Sequence, residues 1–163
     1  MKRDDELNRL IRYAQGMGLS VRFKPYVKGS KTQAEWACDG SEIVIYVKSN
    51  YSKLDKILSL IHEISHHKSW IDNERVMDPK VEEALDKDHL KSARKRVLDM
   101  EIADAVYWED IYKDTNCQFN INKLYKQKEL DIWCYEVYYE TGRDATKKEK
   151  TIKRRELRKK YGC

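Results

Sequence analysis

The stretch Leu60-Ile61-His62-Glu63-Ile64-Ser65-His66-His67 contains His-Glu-x-x-His, and the reading of the rest of the chain turns on it. On a helix, residues four apart lie on one face, so His62 and His66 can direct two imidazole nitrogens at a single metal ion, with Glu63 beside them. Neutral imidazole is a good zinc ligand. A third protein ligand leaves one tetrahedral position for water, whose pKa the metal lowers to about 7. Glu63, adjacent in sequence but turned away from direct ligation, is placed to take a proton from that water and pass it to a leaving amine. The pattern is that of a zinc hydrolase, with Zn2+ held by His62 and His66 and Glu63 as the catalytic base. A five-residue motif also arises by chance, so its surroundings have to agree with it.

The motif first needs a helix. From Ser52 to Trp70 the apolar residues Leu54, Ile57, Leu58, Ile61, Ile64 and Trp70 recur at three-to-four spacing without a Gly or Pro, and Ser52-x-x-Asp55 reads as a capping box. Leu58, Ile61 and Ser65 interleave with the histidines, which sets the metal side at the border of the buried face. Upstream, Val21-Arg22-Phe23-Lys24-Pro25-Tyr26-Val27 and Ala34-Glu35-Trp36-Ala37-Cys38 alternate as strands do, and Lys28-Gly29-Ser30-Lys31 marks a polar loop between them. Asp39-Gly40 signals a tight turn. The β-branched run Ile43-Val44-Ile45-Tyr46-Val47 then reads as a strand buried on both faces, so a hairpin feeds into the motif helix. The Ile43 to Val47 edge is where a substrate strand is expected to pair.

A third ligand is sought downstream. A helical stretch over about 90–112 carries Val97, Glu101, Ala105, Trp108 and Tyr112 on one stripe, and a carboxylate on an apolar stripe is costly unless paired or metal-bound. Glu101 is therefore the expected third ligand. Asp104 can orient a ligand histidine or ligate in its place, and His89, in the polar run Asp86-Lys87-Asp88-His89, is the other candidate.

A short strand, a hairpin, His-Glu-x-x-His on a helix and then Met100-Glu101-Ile102-Ala103-Asp104 on a following helix resemble the ImmA/IrrE metallopeptidase family, over roughly residues 7–113. The resemblance implies a small α+β, gluzincin-like domain with zinc on His62, His66 and Glu101. It also implies a peptidase whose protein substrate is a regulator such as a transcriptional repressor, in a phage or mobile element. The chain departs from the family in Ser65, where glycine is usual, in a longer charged insertion over 72–95, and in lacking a recognisable helix-turn-helix domain.

The chain's 163 residues are 37% charged and 40% hydrophobic, which fits a lean core with charged surroundings. Met1-Lys2-Arg3-Asp4-Asp5-Glu6 is followed by no apolar stretch, so neither a signal peptide nor a membrane span is expected. Cys38, Cys117, Cys134 and Cys163 form no Cys-x-x-Cys pair and read as free thiols, which suits a cytoplasmic protein of a bacterial or phage-infected cell.

Further elements follow the same rules. A helix over about 5–17 carries Leu7, Leu10, Ile11 and Ala14 on one stripe, expected to pack on the sheet, with Gly18 as its stop. Residues 72–88, with Pro79, begin as loop before a helical segment over 81–86 that includes Glu82 and Glu83. Asp114-Thr115-Asn116 ends the Glu101 helix. Asn120 or Asn122 caps another, with Leu130, Trp133, Cys134, Val137 and Tyr138 on its buried face and Gly142 at its end. Eleven tyrosines are present, among them Tyr107, Tyr112, Tyr135, Tyr138 and Tyr139, any of which has the phenol that can donate to an oxyanion.

The expected fold class is α+β: a zincin-like domain over 1–142 with an N-terminal helix, a three-stranded sheet, the motif helix and further helices, then a basic tail over 143–163. Between Lys147 and Lys160, nine Lys or Arg against two Glu give +7, so the rest of the +5 chain is −2. Thr146-x-x-Glu149 offers a capping box, but Ile152, Leu157 and Tyr161 make a thin stripe, and a frayed, solvated helix competes with a phosphate-contacting arm for nucleic acid. Two functions are weighed. One is a zinc peptidase; the other is a nucleic-acid-binding protein with a structural metal, which has no need of Glu63.

Overall fold

The computed structural model describes residues 5–29, 33–75, 83–84, 87 and 89–163. It is an α+β protein with a small mixed sheet. Its contacts divide the chain into two compact units, Met1–Val76 with Val106–Gln118, and Met77–Ala105 with Phe119–Cys163. Residues 143–163 fall in the same unit as the helix that precedes them.

In the first unit, helix α1 spans Glu6–Gly16, with the Asp5 carboxylate accepting from the Leu7 amide at its start. Leu10 and Ala14 are fully buried, and α1 packs on the motif helix as well as on the first strand. The chain leaves α1 through Gly18 at φ +89°, a conformation that favours glycine. Arg9 ties α1 to the far end of this unit by donating to the carbonyls of Thr115 and Asn116 at 3.0 and 2.9 Å.

Strands β1 (Ser20–Pro25), β2 (Ala34–Trp36) and β3 (Glu42–Val47) lie in the order β1-β3-β2. β3 pairs parallel with β1, Val21 opposite Ile43, and antiparallel with β2, Trp36 opposite Ile43. Ile43, Val44 and Ile45 are at most 2% exposed although they alternate in direction, so the central strand is covered on both faces. This corrects one expectation. β3 is flanked on both sides, and a substrate strand has no free edge beside residues 43–47; among the described residues the sheet ends at β1 and β2.

The β2–β3 turn is tight for a local reason. Gly40 sits at φ +71°, the Asp39 carboxylate accepts from the Ser41 amide at 2.9 Å, and a Cβ on Gly40 would come within 2.4 Å of the Trp70 ring. The turn thus seats itself on the motif helix.

That helix, α2, spans Lys53–Asp72. Its capping box is formed: the Ser52 amide donates to Asp55 at 2.7 Å, and the Asp55 amide donates to the Ser52 hydroxyl at 3.1 Å. Ile57, Leu60, Ile61 and Ile64 are at most 2% exposed, because α2 is packed by α1, by β2 and β3, and by the short helix of residues 108–114.

The helix expected over 90–112 is interrupted. α3 spans Lys91–Asp104, a 3-10 turn takes Ala105–Tyr107, and α4 spans Trp108–Asp114. Leu90 begins α3 without a side-chain cap, and the apolar period runs on through the break, so no Gly, Pro or change of period marks it. The boundary between the units falls between Ala105 and Val106.

In the second unit, α3 packs on α5 (Ile121–Thr141), which also carries α6 (Lys147–Tyr161). The Asn120 side chain caps α5 by accepting from the Asn122 amide, and Gly142 at φ +68° closes it. Leu130 is buried as expected, but Trp133, Cys134, Val137 and Tyr138 are only half-buried, whereas Leu124 is fully buried. Ala84, Ala93 and Val97 form a buried cluster against Tyr135. Pro79 and most of the helix expected over 81–86, Glu82 included, lie outside the described residues; Glu83 and Ala84 are helical.

All four cysteines are free thiols. Among the described residues no helix is long and apolar enough to cross a membrane.

Candidate metal centre

His62 and His66 stand one turn apart on α2 with ring centroids 4.9 Å apart and planes at 67°. Each lies against an indole of the same unit. The His62 ring is 5.4 Å from Trp108, edge to face, and the His66 ring is 6.4 Å from Trp36. Both imidazoles are half-buried, and the aromatic walls restrict how far they turn.

Two further residues on α2 hold the motif in place. Ser65, 1% exposed, donates its hydroxyl to the His62 carbonyl at 2.6 Å, so the residue standing where the resembled family has glycine satisfies its own polar group within the helix. His67, also 1% exposed, accepts at Nδ1 from the Trp36 indole N–H at 3.2 Å and donates from Nε2 to the Met17 carbonyl at 3.3 Å. Those two bonds require the neutral tautomer protonated on Nε2. Burial pushes the His67 pKa down, in keeping with that state.

Neither His67 nor the roles of Trp36 and Trp108 were singled out from the sequence. The signal for His67 lay in the row Ile57, Leu60, Ile64, His67, which continues one buried stripe at four-three spacing.

Two motif-region carboxylates are buried. Glu63 on α2 and Glu101 on α3 are each 7% exposed, and each has an interaction partner within the chain. Buried carboxylates are uncommon and need compensation by a partner or a cation. A ligand nitrogen of His62, one of His66 and a carboxylate oxygen of Glu101 lie within 4.8 Å of one another, a group that could hold a metal ion. Two imidazole nitrogens and a carboxylate oxygen are a donor set of the kind that zinc accepts.

Asp104, 5% exposed at the end of α3, and His89, exposed, are not in this group. The His89 carbonyl accepts from Arg94 at 2.9 Å. Of the tyrosines named above, Tyr107 donates its hydroxyl to the Asp72 carboxylate.

No protein-family model matches the chain, and no curated protein or solved structure shows significant similarity to it.

Proposed function

We propose that this protein is a zinc-dependent peptidase of zincin-like fold, related to the ImmA/IrrE metallopeptidases, with the ion on His62, His66 and Glu101. The observation that carries the reading is the grouping of these three ligand atoms, two of them from a helix that also carries a buried Glu63 next to the first. Bound zinc would supply Lewis acidity, lowering the pKa of a water and polarising a peptide carbonyl.

The chain's own residues do the rest. Glu63 accepts the proton of the attacking water and returns it to the leaving amine; its carboxylate is needed for both transfers. Trp108 and Trp36 fix the imidazole planes. β2, the last strand of the sheet on this side among the described residues, carries Trp36 against the His66 ring, and its outer edge is where an extended substrate pairs. The substrate is a protein or peptide, with a transcriptional repressor as the specific candidate.

The test is zinc per chain by elemental analysis after chelation and reloading. Wild type and Glu63→Gln should hold one zinc, His62→Ala and Glu101→Ala should lose it, and His89→Ala should keep it. Incubated with a proteome-derived peptide library and read by mass spectrometry, wild type should cut and Glu63→Gln should not. Cleavage retained by Glu63→Gln would remove Glu63 from the mechanism, and a zinc-free wild type would end the peptidase reading.

A further inference from the structure

The C-terminal helix carries a charge pattern that the metal centre does not use. α6 is a complete helix, with its capping box formed at Thr146 and Glu149 and with Gly162 at φ +70° closing it. It is docked on α5 by one face. Leu157 is 1% exposed, the Tyr161 hydroxyl donates to Glu129 at 2.7 Å, the Asn122 amide donates to the Tyr161 carbonyl at 3.1 Å, and Lys126 donates to the Cys163 carbonyl at 2.7 Å. Docked in this way, the helix expected over the basic tail presents a defined outer side.

At 100° per residue, Lys148, Arg155 and Lys159 lie within about 20° of directly opposite Leu157, and Arg158 lies on the flank, about 80° from that direction. All four are exposed, and none of them forms an ion pair among the described residues. The acidic residues of α6 are used elsewhere: Glu149 pairs with Arg143 at 2.9 Å, and Glu156 lies 3.8 Å from Lys153 on the flank. Like charges at four-residue spacing, as in Arg155 and Lys159, cost the helix stability.

We infer that the outer face of α6 docks on duplex DNA through its phosphates, with Lys148, Arg155, Arg158 and Lys159 as the contacts. Three observations select this partner. The cations run along about 17 Å of a preformed helix, at 1.5 Å per residue, and a helix of that kind fits the wide major groove of B-form DNA but not the narrow one of A-form RNA. The outer face has no aromatic residue on which unpaired bases could stack, the helix's own Tyr161 being turned inward to Glu129. Its one apolar residue is Ile152, 49% exposed, too little for insertion into a lipid surface. Contacts of this kind position the protein without reading sequence.

The experiment is fluorescence anisotropy of the full chain with a labelled 20-base-pair mixed-sequence duplex between 50 and 200 mM salt. Four phosphate contacts give a log–log salt slope of about −3.6, so affinity should fall roughly a hundredfold across that range. Each single change among Lys148→Gln, Arg155→Gln, Arg158→Gln and Lys159→Gln should lower the slope by about one. The fourfold variant, with its far-UV circular dichroism unchanged, should lose salt-dependent binding. Lys24→Gln, Lys28→Gln, Lys56→Gln and Lys113→Gln together make the same change in net charge elsewhere and should bind as wild type. The proposal is overturned by any of three results: no binding at 50 mM salt, equal losses in the two fourfold variants, or tighter binding to single-stranded RNA or to phosphatidylserine vesicles than to the duplex. Zinc content is not involved in any arm.

Discussion

His67 separates a structural histidine from a proposed ligand histidine one residue away. Its two ring nitrogens are committed to the Trp36 indole and the Met17 carbonyl, joining α2 to β2 and to the end of α1, so it has no lone pair left for an ion. Replacing it by Phe keeps a ring of similar size but strands one donor and one acceptor, which should cost about 2–3 kcal/mol. Urea denaturation should show a lower midpoint for His67→Phe, with partial recovery in His67→Gln and one zinc retained in both. An unchanged midpoint would mean that the two hydrogen bonds hold nothing. The contrast also marks what was legible at this scale. The pairing of His62 with His66 is legible because residues four apart share one face of a helix. Glu101 is legible as a carboxylate on an apolar stripe. The burial of His67 is legible from its stripe, but its role is not, because its partners lie 31 and 50 residues away.

At the level of elements, local chemistry was readable wherever an end is fixed by neighbouring residues. The Ser52 and Thr146 capping boxes, the Asn120 cap, the Gly142 stop and the Asp39-Gly40 turn are all formed as the sequence implies. The break after Asp104 was not readable, since a 3-10 turn needs no special residue and the apolar period passes through it. The order of strands was not readable either, because pairing of β1 with β3 depends on contacts across some twenty residues that periodicity does not encode. α6 shows how tertiary contact overrides a thin stripe, and its two ends depend on carboxylates. Arg143 foremost, with the Thr146 amide, holds the Glu149 pKa far below the usual value of 4.5, and Lys160 foremost lowers that of Glu129. A carboxylate whose pKa is depressed by folding contributes stability that is complete above its unfolded value and is lost as pH falls toward the folded one. Hydrogen exchange in peptides covering 147–161, corrected for the intrinsic pH dependence, should therefore lose protection below about pH 4.5 before α5 does. The double variant Glu129→Gln and Glu149→Gln should be less protected at pH 7 and should show a flatter acid response. Equal protection of α5 and α6 throughout the acid range would detach these carboxylates from the docking of the helix.

Across the whole molecule, charge and chemistry are separated along the chain. The segment 147–160 carries +7 while the remainder is −2, so the strongest field lies at residues that have no part in the proposed metal centre. Binding at either place should then be measurable without the other, and stability gives the global readout for the metal. An ion that binds the folded chain and not the unfolded one stabilises it by about 2.7 kcal/mol at a hundred times its dissociation constant. For a chain of 163 residues that corresponds to a rise in melting temperature of roughly 5–10 °C. Wild type should show this rise on zinc addition and lose it to a chelator. Glu63→Gln should show the same rise, since a base that does not ligate leaves binding intact, whereas His62→Ala and Glu101→Ala should show none. The fourfold α6 variant should respond as wild type. A rise of equal size in His62→Ala would place the bound ion away from the motif, and a loss in Glu63→Gln would make that carboxylate a ligand rather than the base.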